Sequence, residues 1–253
     1  MKTNSLSKLG GTCSILLGVS YIVVGVTYVL LPAEQKAGGN PALFLPSFAQ
    51  NPTLLMIQYW AFALGAVLAL AVVPAVSETV RSANEGWVRW TSNLAFLGFA
   101  VTAIDVFRTL GLQPGRAAAF VAGDATTKAV LTAPGYVAGL DVQGWLGFGG
   151  VGLWVLVISL LALRGSTWPK PLAYVGIAVA ILYWFVVAGL ALGVETLVTI
   201  AAGLGGVIGA PVWYIWAGLT LRRANLVSAP NQWGSRLTQN GSCEYLRGSH
   251  TAR

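Results

Sequence analysis

Asp105 and Arg108 are the residues of this chain best placed to do chemistry. They stand three apart in an apolar stretch. On a helix they share a face, where a carboxylate and a guanidinium can pair. A charged side chain inside a bilayer costs about 2.5–3.5 kcal/mol on insertion scales, so it turns toward protein or water. One expectation is a polar site open to the outer face, with Asp105 holding a cation or proton and Arg108 an anionic group. The plainer one is a structural ion pair near the interface, with Arg108 reaching outward on its aliphatic stem. Gln58 and Glu195 fall at comparable depth or just outside and could complete a site. Nearer the N-terminus, Gly11, Ser14, Gly18, Tyr21, Gly25 and Tyr28 follow a 3-4-3-4-3 spacing. Glycines on such a face admit a second helix, and Tyr21 and Tyr28 either hydrogen-bond into it or line a pocket.

Other chemistries lack their residues. The single histidine is His250, near the C-terminus. Histidine-ligated haem, HExxH zinc and histidine-based triads are therefore excluded from the apolar part. Cys13 and Cys243 lie far apart with no CxxC, which argues against a disulfide framework or a thiol centre. No lysine falls in the apolar core of a span, and the glycine run 203–209 has neither the strand context nor the lysine of a nucleotide loop. No cofactor and no metal are expected. A carboxylate-dependent enzyme would need a second acid, Glu195 or Asp141, within about 6 Å of Asp105. This is the least favoured class.

The elements that must position these residues are membrane helices. Of 253 residues 56% are apolar and 9% charged, against about 25% charged in soluble domains. Too few charges remain to cover a water-facing surface. A spanning helix takes about 20 apolar residues, and six segments qualify: 10–31, 53–76, 88–110, 142–163, 171–193 and 197–221. Runs of this length exclude the short alternating strands of a barrel. The first is too long for the apolar core of a cleavable signal and reads as a retained helix. The expected fold is all-α, a polytopic bundle over 1–223 with a polar tail over 224–253.

The 15 Lys and Arg residues divide unequally between the two sets of flanks. Only Lys36, Arg108, Arg116 and Lys128 fall on one side, which by the positive-inside rule is the outer one. Both termini are then cytoplasmic. The net charge of +7 is thus an orientation signal, and no nucleic acid is expected. Two outer loops are long, 32–52 and 111–141, and residues 116–132 of the second could lie on the surface as an amphipathic helix. Pro211 should free the Val207 carbonyl and kink the last span, whose Gly205 and Gly209 form a GxxxG face. The stretches Leu94–Val101 and Leu172–Val179 share Leu-Ala, Gly and Ala-Val at matching positions. They leave open either a duplicated hairpin or chance likeness between Gly- and Leu-rich helices.

The hairpin from Leu161-Ala162-Leu163-Arg164 through Trp168-Pro169-Lys170-Pro171-Leu172-Ala173-Tyr174-Val175-Gly176 resembles part of the DUF4386-like group of bacterial six-helix membrane proteins. So does the ending Pro211-Val212-Trp213-Tyr214-Ile215-Trp216-Ala217-Gly218-Leu219 before Arg222-Arg223. The likeness covers the last three helices. It implies a bacterial cytoplasmic membrane and supplies no activity or site residue. The favoured role is non-enzymatic: binding or passage of a small or lipid-like molecule through an outward-facing cavity. Its candidate ligand-binding residues are Asp105, Arg108, Gln58, Tyr21, Tyr28 and Glu195. The alternative is an accessory subunit that uses its glycine faces to bind another membrane protein or a second copy. Expected partners are membrane lipids, a small-molecule ligand, or such a membrane-protein partner or homo-oligomer.

Overall fold

Long apolar runs without water must satisfy their own backbone, and helices do so within one segment. The computed structural model describes residues 3–36, 40–133 and 139–227. From 228 on, the expected tail lies outside the described residues. In chain order the helices are α1 (Thr3–Leu30), α2 (Ala33–Lys36), α3 (Pro41–Gln50), α4 (Thr53–Glu78), α5 (Glu85–Ala122), α6 (Ala125–Thr132), α7 (Val151–Gly165), α8 (Lys170–Leu192), α9 (Glu195–Ala202) and α10 (Ala210–Val227). Two π-helical segments, Trp145–Gly150 and Gly203–Gly209, run into α7 and α10. Among the described residues there is no strand.

Six stretches are long and apolar enough to cross a membrane: Ser5–Leu30, Thr53–Glu78, Glu85–Ala122, Trp145–Gly165, Lys170–Leu192 and Glu195–Arg223. The protein is a multi-pass helical membrane protein. Each span packs on the next in chain order, and α10 returns to α1, so the six close into a ring. The closing seam uses the glycine face of α1. A Cβ at Gly11 would stand 3.0 Å from the Gly218 carbonyl, and one at Gly25 would collide with Val207. Between them the Ser14 hydroxyl donates to the Tyr214 carbonyl at 2.6 Å. Gly205 and Gly209 serve a different contact, with Leu182 and Val179 of α8.

One end of the ring has only tight connections, 79–84 and 166–169. Toward it and through the middle, the buried core between the spans includes large aromatic side chains. Trp154 and Trp213 are fully buried and meet edge to face at 5.8 Å, and Trp213 also packs on Trp168 and Tyr214. The opposite, loop-rich end holds more helix than the two long loops expected there. Residues 41–50 are helical, started by Asn40, whose Oδ1 accepts from the Ala42 N–H, and by Pro41 in the first turn. The third span does not stop at Leu110. It runs through Gly111, Pro114 and Gly115 as one 38-residue helix, about 57 Å long at 1.5 Å per residue. In place of one surface helix over 116–132, the chain breaks at Gly123 and restarts as α6 under an Asp124 cap. Proline costs this helix a hydrogen bond, but Ala117 and Phe120 beyond it are buried with Leu31, Leu45, Phe48, Leu55 and Leu131. That second apolar cluster makes α3, α6 and the end of α5 a folded cap.

Candidate functional site

Between the aromatic filling and the cap, the ring encloses a cavity of about 340 Å³. All six spans reach it. Its wall includes Tyr21 and Val24 of α1, Phe62 of α4, Phe99, Thr102, Asp105 and Val106 of α5, and Tyr183 of α8. The two π segments supply Gly147, Phe148, Gly206 and Val207. Its rings pack on one another and on the core behind them: Tyr21 lies 6.0 Å from Phe62 and 5.9 Å from the core residue Tyr214, and Phe148 meets Tyr183 edge to face at 5.5 Å.

The π geometry has a readable origin. Pro211 carries no N–H for the Val207 carbonyl, and the glycines on either side let the ladder widen. The Ala210 N–H reaches back five residues to the Gly205 carbonyl. In the other segment the Gly149 N–H reaches the Gly144 carbonyl at 2.9 Å, and Gly144 itself is left-handed at φ 69°. Such bulges recur at functional sites because they break the regular spacing of side chains on a helix.

Two carboxyl groups stand at the loop-rich rim. Asp141 is bound by backbone: its Oδ2 accepts from Leu146 and Gly147 N–H at 2.9 and 2.7 Å, which starts the fourth span. Asp105 accepts at Oδ2 from the Leu140 N–H at 2.8 Å, and Gly139 leaves room, since a Cβ there would fall 2.9 Å from that oxygen. Its other oxygen, Oδ1, is buried and has no partner among the described residues. Unmatched buried acceptors are uncommon and costly. Above this rim lies a second pocket of about 320 Å³, bounded by Asp105, Arg108, Thr109, Leu112, Gln113, Arg116 and Gly139. Asp105 therefore separates an apolar cavity from a basic one. Arg116 Nη1 donates to the buried Gln113 Oε1 at 3.3 Å.

The expected pairing of Asp105 with Arg108 does not form. Among the described residues the salt bridges are those of Arg81 with Glu78 and Glu85. The Leu140 amide is a fixed donor beside Asp105, whereas Arg108 is exposed. Of the other candidates, Tyr21 lines the inner cavity. Gln58, Tyr28 and Glu195 line neither pocket. Gln58 buries an unpaired Oε1, Tyr28 lies under the Lys36 ammonium at 5.7 Å, and Glu195 is exposed in the first turn of α9. Asp141, Thr102 and Tyr183 also line the cavity and lie outside the six candidates that the sequence offers, where Asp141 enters only as a possible second acid. Its signal was the run of glycines at 144, 147, 149 and 150, which marks irregular backbone where a carboxylate can accept two amides. No group of three or more His, Cys, Asp or Glu suited to a metal occurs among the described residues.

A family described as a domain of unknown function, DUF4386, matches residues 16–218. No curated protein and no solved structure matches the chain.

Proposed function

We propose, for a chain that belongs to the DUF4386 family of unknown function, a one-sided membrane pocket that binds an amphiphilic molecule. The observation that carries this reading is the cavity of about 340 Å³ with aromatic and aliphatic walls and the half-satisfied Asp105 at its rim. Mostly apolar pockets with a few placed polar groups are the usual form of a small-molecule site. The aromatic filling beyond the cavity favours binding over passage. An acid–base enzyme fares worse, because Asp141 Oδ2 is committed to two backbone amides.

The same proposal carries an orientation and a membrane. Arg81, Arg89, Arg164, Lys170, Arg222 and Arg223 gather toward the tight-loop end, which is then the cytoplasmic face of a bacterial cell membrane. The accessory-subunit reading has less support, because the glycines of α1 are used within the chain, against α4, α10 and the π segment that precedes α10.

Gly206 supplies the test. It lines the cavity, and a Cβ placed on it meets nothing within 4 Å. Gly206→Leu should fill the pocket without disturbing the seams. Native mass spectrometry of the protein released from lipid nanodiscs should show a retained amphiphile on the wild type and a severalfold lower occupancy on Gly206→Leu. Equal occupancy in both, or none in either, would sink the proposal.

A further inference from the structure

The charges around Asp105 restrict what can bind. A purely anionic head would meet the Asp105 carboxylate, and a purely cationic head would meet Arg108 and Arg116. Like charges brought together in one pocket are costly where water is partly excluded. A head carrying both signs is complementary to the charges of all three side chains.

The polarity of the site also has a direction. Asp105 lines both the apolar cavity and the basic pocket, whereas Arg108 and Arg116 line only the latter. The positive group of a ligand therefore belongs deeper and the negative group nearer the cap. Asp105 Oδ1 is a buried acceptor with no partner among the described residues, so the positive group should carry N–H donors. A primary ammonium does, and a quaternary one does not. The depth agrees with a lipid head. Exposed Trp87 and Trp90 mark one membrane surface on α5. Asp105 lies 18 residues further on, about 27 Å along the helix, close to the hydrocarbon thickness of about 30 Å.

We infer that the basic pocket and Asp105 together recognise a dipolar headgroup, a primary ammonium next to a phosphate, on a lipid with a chain in the inner cavity. This rests on the amphiphile pocket proposed above. The ammonium donates to Asp105 Oδ1, the phosphate accepts from Arg108 and Arg116, and the chain runs toward Tyr183 and Phe148.

The test is a native mass spectrometry titration of the full chain with single-chain lipids of equal length, bearing ethanolamine-phosphate, choline-phosphate or glycerol-phosphate heads. O-phosphoethanolamine serves as the chainless control. The wild type should prefer the ethanolamine lipid by about tenfold, the scale of one charge-assisted hydrogen bond, and the chainless control should not compete. Asp105→Asn, which keeps an acceptor for the Leu140 amide, should equalise the ethanolamine and choline lipids. Arg108→Gln changes an exposed side chain, so folding should survive, and it should weaken both of those lipids alike. Equal binding of all three heads, abolished by Gly206→Leu, would overturn the dipolar head while leaving the chain pocket standing. Control binding as tight as the lipid would overturn the lipid source. No lipid binding at all would remove the pocket reading itself.

Discussion

Trp154 is fully buried, and its indole N–H donates to the Ser77 hydroxyl at 2.9 Å. Ser77 also shares a 2.6 Å hydrogen bond with Ser92, so one small side chain ties the second span to both the third and the fourth. Removing that oxygen leaves a buried donor without a partner, which costs about 1–3 kcal/mol. Ser77→Ala should lower the unfolding free energy in detergent by that amount. Ser92→Ala should cost less, because Trp154 keeps its acceptor. Equal losses would show that the two hydroxyls act as one unit. Asp105 was legible as a single residue: a carboxyl in an apolar run has few places to go. Its partner was not. Leu140 is 35 positions away, and helical spacing points only to neighbours such as Arg108.

The spans were legible because length and apolarity suffice to mark them, with no need for side-chain detail. The cap was not, because its core residues are divided among Leu31, α3, the start of α4, the end of α5 and α6, and each of these contributes only one or two of them. Gly111, Pro114 and Gly115 read as an end, yet the tertiary burial of Phe120 keeps the helix going. Asp124 offers a check on this region. Its Oδ1 accepts from the Thr127 N–H at 2.8 Å, and that bond, with the Thr127 side chain, holds the carboxyl below its ordinary range. A lowered folded value means that the contribution to stability is present above the ordinary carboxylate range. It is lost as pH falls through the folded value. Amide exchange across 125–128, corrected for its intrinsic rate, should therefore quicken as the pH drops into the acid range. Asp124→Asn, still a good cap, should lose that pH dependence. Exchange that ignores pH in the wild type would count against the cap.

At the scale of the whole molecule, the ring is filled by Trp154, Trp213, Trp168 and Tyr214 on one side of the pocket. Planar bilayers containing the purified protein should show no ion conductance above background. A steady current would mean that the axis opens. The proposed orientation is checked on intact cells. A cysteine introduced beside Arg116 should react with an impermeant maleimide, and one beside Arg81 should react only after permeabilisation. The opposite pattern reverses the topology.

The uninterrupted α5 has a mechanical consequence. A rod of about 57 Å among neighbouring spans of 21–29 residues, about 32–44 Å long, projects past them at the loop-rich end and can act as a lever with its fulcrum in the bilayer. Tilting it by about 5° sweeps one tip past the other by about 5 Å. Arg108, Arg116 and Phe120 ride on the arm that the cap holds, where Phe120 is buried, and Asp105 sits about midway along the helix. A tilt of α5 would thus move the cap and the pocket mouth together, because both are built on the same helix.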